Sequence, residues 1–151
     1  MIKQVMAAVL LGFAALGVSA EVMNIDSAEL ARLSASGVVV IDIRTEPEWK
    51  ESGVIAGSKL MTFFDEKGRA DPPVWLEKVK QVAKPDQPVI LICRSGNRTR
   101  AATQFLSQQA GYKTVYNVSG GMNAWFKDGR AVVPSNSVNN TVAGCAAGAR
   151  C

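Results

Sequence analysis

The chain of 151 residues contains no histidine. That absence removes the general base of Ser-His-Asp triads, the partner of the thiol in Cys-His proteases and the nitrogen ligand of most zinc sites. Cysteine is scarce as well, with Cys93, Cys145 and Cys151 the only three. Aromatic residues make up 7% of the chain and are not interleaved with its basic residues, which argues against a nucleic-acid groove. No acidic residue occurs between Asp86 and Asp128. What is present is 48% hydrophobic and 20% charged, a globular composition of single-domain size that can bury a core.

The start of the chain reads as a leader. Lys3 precedes an uncharged apolar run from Val5 to Val18, and Val18-Ser19-Ala20 offers a small-residue cleavage site before Glu21. The run is shorter than the roughly 20 residues a bilayer requires and has no basic stop behind it, so cleavage after Ala20 is expected rather than a membrane anchor. Residues 1–20 are thus expected to be a signal peptide, 21–133 the domain and 134–151 a flexible tail rich in Ser, Asn, Gly and Ala, with the mature protein periplasmic or secreted. Charge is unevenly placed. Residues 21–86 carry nine basic against twelve acidic residues, whereas residues 87–151 carry seven against one, a cationic half suited to small anions.

Strand-like and helix-like segments alternate, the pattern of a parallel α/β sheet. Ser27 is placed to cap a helix over 28–36, with Leu30 and Leu33 on one face and Gly37 ending it. A buried strand is predicted over 38–43. Thr45-Glu46-Pro47-Glu48 then has capping-box spacing for a short helix that ends at Gly53. A short strand is predicted near 59–61, a loop over 63–70, and an amphipathic helix from Asp71 with Val74, Leu76, Val79 and Val82 on its apolar face. Val89-Ile90-Leu91-Ile92 is the most strand-like run. Helices over 99–110 and 122–127 flank a strand over 114–118, and Trp49, Trp75 and Trp125 fall on helices as core residues.

The chemistry concentrates in Cys93-Arg94-Ser95-Gly96-Asn97-Arg98, between a strand and a helix, where open α/β sheets bind ligands. Successive backbone N–H groups there can turn inward as an anion nest, and the helix amino end adds partial positive charge. Such surroundings favour the thiolate and make Cys93 a candidate nucleophile that needs no histidine. A lone cysteine is more often structural, but Arg94, Arg98 and Arg100 crowded at one helix end without an acid are otherwise hard to explain.

Three stretches together resemble the rhodanese sulfurtransferases over most of residues 24–133. Val40-Ile41-Asp42-Ile43-Arg44 with Glu46-Pro47-Glu48-Trp49 is similar to the family's first strand and its signature, Cys93 to Arg98 followed by Thr99 to its active-site loop, and Val118-Ser119-Gly120-Gly121 with Ala124-Trp125 to its final segment. One departure is Val54, where the family usually has His in a Gly-His-Ile segment. The resemblance implies an α/β fold with a central parallel sheet of about five short strands flanked by helices on both faces. It also implies transfer of a sulfane sulfur from a thiosulfate-like anion to cyanide, a thiol or an acceptor protein through a Cys93 persulfide, with no cofactor or metal.

By the same resemblance Arg94, Ser95, Gly96, Asn97 and Arg98 bind substrate, with Arg98 holding the anionic donor and Arg94 at the entrance. Asp42, Arg44 and Thr99 support the loop from behind. Four residues separate Cys93 from Arg98, whereas related phosphatases and arsenate reductases place five; Arg100 does not restore that spacing. The alternative is a non-catalytic persulfide carrier or anion-binding module. Cys145 and Cys151 lack C-x-x-C spacing and are expected either to pair as a disulfide in an oxidising compartment or to reach Cys93 as a tethered dithiol.

Overall fold

The continuous apolar run over Val89–Ile92 forms the middle strand of a sheet, as burial on both faces requires. The computed structural model describes residues 20–138. In chain order the elements are β1 (Val22–Ile25), α1 (Ser27–Ala35), β2 (Val39–Asp42), α2 (Glu46–Ser52), β3 (Lys59–Leu60), α3 (Pro72–Val82), β4 (Val89–Ile92), α4 (Asn97–Gln108), β5 (Val115–Val118) and α5 (Gly121–Lys127). The five strands are all parallel, in the order β1-β5-β4-β2-β3.

Alternation along β4 divides the core. Leu91 and Cys93 point to one face, where Ile41 and Ile43 meet Trp75 and Val79 of α3 and Ala102 and Leu106 of α4. Ile90 and Ile92 point to the other, against Leu30 and Leu33 of α1 and Met122 and Trp125 of α5. Helices therefore cover both faces, and Cys93 lies at the carboxyl end of the central strand on the α3–α4 side.

Several local expectations shift. The strand β1 was not expected; it is an edge strand paired with β5 in register Val22↔Val115 to Ile25↔Val118, and two of its four residues are exposed. Asp26 rather than Ser27 caps α1, accepting from the Glu29 N–H at 2.8 Å, because the Ser27 hydroxyl turns inward to donate to Asp128. In α3 Val74 is 56% exposed and Trp75 is buried in its place, its indole N–H donating to the Met61 carbonyl at 3.0 Å. The larger ring wins the inward position because it buries more apolar surface and satisfies its polar atom there.

Packed structure also continues beyond the expected end of the domain at 133. Val133 forms an antiparallel bridge with Val54, Ser135–Ser137 make a single 3-10 turn, and Val138 is buried against Trp49 and Val54. Residues 1–19, with the expected leader, and residues 139–151, with Cys145 and Cys151, lie outside the described residues.

Candidate active site

Cys93 follows β4 directly and is fully buried beneath the loop that leads into α4. Helix α4 begins at Asn97, two residues earlier than expected, because Gly96 adopts the left-handed conformation (φ +90°) and turns the chain into the helix. That turn aims the Gly96 N–H at Cys93 Sγ, 3.1 Å away. Thr99, fully buried one turn on, donates from Oγ1 to the Gly96 carbonyl at 3.0 Å and stands 3.7 Å from the sulfur.

Helix starts elsewhere in the fold are filled. Asp26 and Asp71 accept from the first turns of α1 and α3, and at α2 the Glu48 carboxylate accepts from Thr45 N–H and Oγ1. At α5 the N–H groups of Met122 and Asn123 donate to the carbonyls of Cys93 and Arg94, at 2.8 and 3.0 Å. Among the described residues no side chain caps α4, and an uncapped helix start of this kind presents its first-turn amides and its dipole to an anion.

Two glycines make the close approach possible. A Cβ on Gly96 would lie 2.2 Å from the Ser119 carbonyl oxygen, and one on Gly121 would lie 2.4 Å from that of Cys93. The loop is thus pressed against the β5–α5 turn by backbone contacts that admit no side chain.

The arginines separate into two roles. The Arg98 guanidinium, expected to hold the anionic donor, is engaged by Glu48 through two bonds, Nη1 to Oε2 at 2.7 Å and Nη2 to Oε1 at 2.6 Å. Glu48 has to complete a helix cap and balance this cation at once, and the pairing holds its carboxyl down to about 2 while Arg98 is raised, chiefly by Glu48 and secondarily by Cys93 and Asp42. From sequence Glu48 is a capping residue within the family-like signature, and nothing local to it points to a partner in Arg98.

Arg44 is 2% exposed and lies at the wall of the groove that also holds Arg94. It takes Asp42 at 2.7 Å, donates to Ser52 Oγ at 2.7 Å and to the Gly53 carbonyl at 2.8 Å, and so ties the end of β2 to the far end of α2. The chain Asp42, Arg44, α2, Glu48, Arg98 fixes the first turn of α4 from behind. Arg94 is exposed, in a groove of about 260 Å³ with Glu48, Glu51, Ser52, Asn123 and Phe126. Ser95, Asn97 and Arg100 line a second groove of about 390 Å³ on the other side of the loop, with Gln104 and Asn117.

The Glu48–Arg98 pair has a measurable pH signature. Because folding lowers the Glu48 pKa from the ordinary 4.5, the pair's stabilisation is complete above about pH 5 and is lost as pH falls toward 2. Glu48→Gln is expected to lower stability by about 1 kcal/mol at pH 7, and the gap to the wild type should narrow by pH 3. Urea unfolding at both pH values measures it; an unchanged gap would show that the pair contributes nothing through charge.

A parallel α/β sheet here delivers a thiol from the end of its central strand into a glycine-pinned loop at the start of a helix, the place where open α/β sheets bind ligands. The family model described as "Rhodanese-like domain" matches residues 26–128, and the chain belongs to that family. Thiosulfate sulfurtransferase 18 of Arabidopsis thaliana is 33% identical over 109 residues, covering 70% of this chain and 79% of that one. Thiosulfate sulfurtransferase GlpE of Pseudomonas entomophila is 31% identical over 105 residues, covering 70% and 85%. The crystal structure of a rhodanese-related protein from Thermoplasma volcanium is similar with a TM-score of 0.58 and 29% identity, covering 75% of this chain and 99% of that one.

Proposed function

We propose that this protein is a sulfurtransferase in which Cys93 carries the sulfur, acting on a thiosulfate-like anion in the periplasm or outside the cell. The observation that carries the reading is the Gly96 N–H directed at Cys93 Sγ within the uncapped start of α4. In the first half-reaction the Cys93 thiolate attacks the outer sulfur of thiosulfate. The S–S bond breaks, sulfite departs with the electron pair, and a Cys93 persulfide remains. Its terminal charge is stabilised by the loop amides and the dipole of α4, which are already in place before reaction.

In the second half-reaction cyanide or a thiol attacks the terminal sulfur, and Cys93 leaves as thiolate. Thr99 holds the carbonyl of Gly96 so that its N–H keeps its aim, and Arg98, committed to Glu48, anchors the helix rather than clamping the donor. Attraction of the dianion then falls to the exposed Arg94 and Arg100. Thiosulfate-dependent formation of thiocyanate from cyanide tests the reading. Saturable turnover supports it, and none from reduced, folded protein overturns it.

Arg94→Ala is expected to raise the KM for thiosulfate about 5-fold at low salt and to leave kcat within about 2-fold, with the difference shrinking as salt is added. Steady-state kinetics at two ionic strengths measure this; an unchanged KM would remove Arg94 from donor capture. The full burial of Cys93 favours a second reading, a persulfide carrier whose dedicated acceptor protein opens the loop. That reading shares the first half-reaction and gives no turnover with cyanide.

A further inference from the structure

The larger of the two grooves beside the loop, about 390 Å³, is bounded by α4 on one side and the edge strand β1 on the other. Asn24 of β1, Asn117 of β5 and Gln104 of α4 line it, and one end is the loop itself at Ser95 and Gly96. Asn117 belongs to a strand whose residues Val115 and Val118 are fully buried, and it is itself only 8% exposed. Its Nδ2 donates to Oδ1 of Asn24, its register partner, at 2.8 Å, whereas its own Oδ1 is buried without a hydrogen-bond partner among the described residues. Burying an acceptor unpaired costs free energy that an apolar residue at this strand position would not incur. An N–H group brought into the groove by a ligand supplies the missing partner.

Charge and size narrow that ligand. Arg100, exposed in the first turn of α4, lines the groove, and among the described residues no acid and no aromatic ring does so. The amino end of α4 adds its partial positive charge, so the site suits an anion that is neither a base nor a large ring. From Asn97 to Gln104 the helix runs about 10 Å. Thiosulfate or cyanide, of a few atoms each, fills only a small part of such a volume.

We infer that this groove holds the non-reacting part of the sulfur acceptor, and that the acceptor is a small thiol of amino-acid or peptide type, with its carboxylate toward Arg100 and its amide N–H on Asn117 Oδ1. The inference rests on the sulfurtransferase reading of Cys93 and adds to it the class of acceptor. The acceptor thiolate attacks the terminal sulfur of the Cys93 persulfide; the bond between that sulfur and Cys93 Sγ breaks, and Cys93 departs as thiolate with the electron pair. The acceptor leaves as a persulfide, and no further oxidant or reductant enters.

The test follows this half-reaction alone, on the mature chain with Cys145 and Cys151 replaced by serine and Cys93 first converted to the persulfide with thiosulfate. Excess thiosulfate is removed, so donor capture by Arg100 does not enter. The acceptors compared are N-acetylcysteine with carboxylate and amide, 3-mercaptopropionate with the carboxylate alone, N-acetylcysteamine with the amide alone, and 2-mercaptoethanol with neither. Referring each variant to its parent for the same thiol cancels differences in intrinsic reactivity.

Asn117→Val is expected to slow persulfide loss about 10-fold for the amide-bearing thiols and less than about 2-fold for the others. Its melting temperature should equal or exceed the parent's, because the unpaired acceptor is gone. Arg100→Gln is expected to slow the carboxylated thiols about 10-fold and the neutral ones less than about 2-fold. If Asn117→Val reacts like its parent with every thiol, or slows all of them alike, the acceptor groove is overturned while the sulfurtransferase reading stands. If thiosulfate leaves no sulfur on Cys93, that reading falls and the role of the groove with it.

Discussion

Replacing Cys93 by serine is expected to lower thiosulfate-to-cyanide turnover by at least about 10³-fold. A serine hydroxyl is smaller than the thiol but keeps an oxygen in reach of the Gly96 N–H, so the loop retains a partner and the fold survives; the melting temperature should stay within about 5 °C of the wild type. What is lost is the soft, readily ionised nucleophile, since a serine hydroxyl holds its proton far too tightly to attack a sulfur–sulfur bond. Activity and thermal unfolding measured on the same preparation separate the two effects. A variant retaining a tenth of wild-type turnover would move the sulfur carrier away from Cys93.

Gly96→Ala should damage both stability and turnover. The residue has φ +90°, and its added Cβ would stand 2.2 Å from the Ser119 oxygen and 2.9 Å from the Ser119 carbonyl carbon, backbone atoms that cannot swing aside. Backbone strain and forced displacement together are expected to cost about 2–4 kcal/mol, a large part of an ordinary domain's stability of roughly 5–15 kcal/mol. The displacement also takes the N–H away from Cys93 Sγ, so kcat should fall by at least about 10²-fold. Gly57→Ala is the control, because Gly57 has a positive φ of 77° but nothing within 4 Å of its Cβ position; it should cost about 1 kcal/mol and leave turnover intact. Urea midpoints and turnover for the two variants measure the contrast, and equal losses would show that conformational preference alone, not the contact with Ser119, sets the cost.

The elements legible in the sequence are those whose cause is local. β4 occupies the four residues expected of it because a short, β-branched apolar run bounded by turn residues suits a doubly buried strand, and the helix after Thr45 starts where its capping residues place it. The three tryptophans are buried, as their helical positions suggested, at 3 to 8% exposure. The loop from Cys93 to Thr99 was legible as a unit because strand, glycine and basic residues are contiguous.

What was illegible depends on distant partners. β1 exists through its register with β5, some ninety residues away, and its own residues are half exposed. Arg98 is paired with Glu48, fifty residues earlier, and Glu48 already had a sufficient local explanation as a helix cap. Gly121 looked like part of a tight turn, whereas its lack of a side chain is what lets α5 seize the carbonyls of Cys93 and Arg94. Charge pairs and backbone clearances of this kind arise from the fold and leave no local pattern.

The central claim is that Cys93 itself accepts the sulfane sulfur, and the most direct test treats the Cys145→Ser/Cys151→Ser protein, in which Cys93 is the sole thiol, with thiosulfate alone. Intact mass should rise by one sulfur as one sulfite is released, the added sulfur should map to the peptide containing Cys93, and cyanide should remove it as thiocyanate. Folded, reduced protein that releases no sulfite and gains no sulfur on Cys93 would contradict the account.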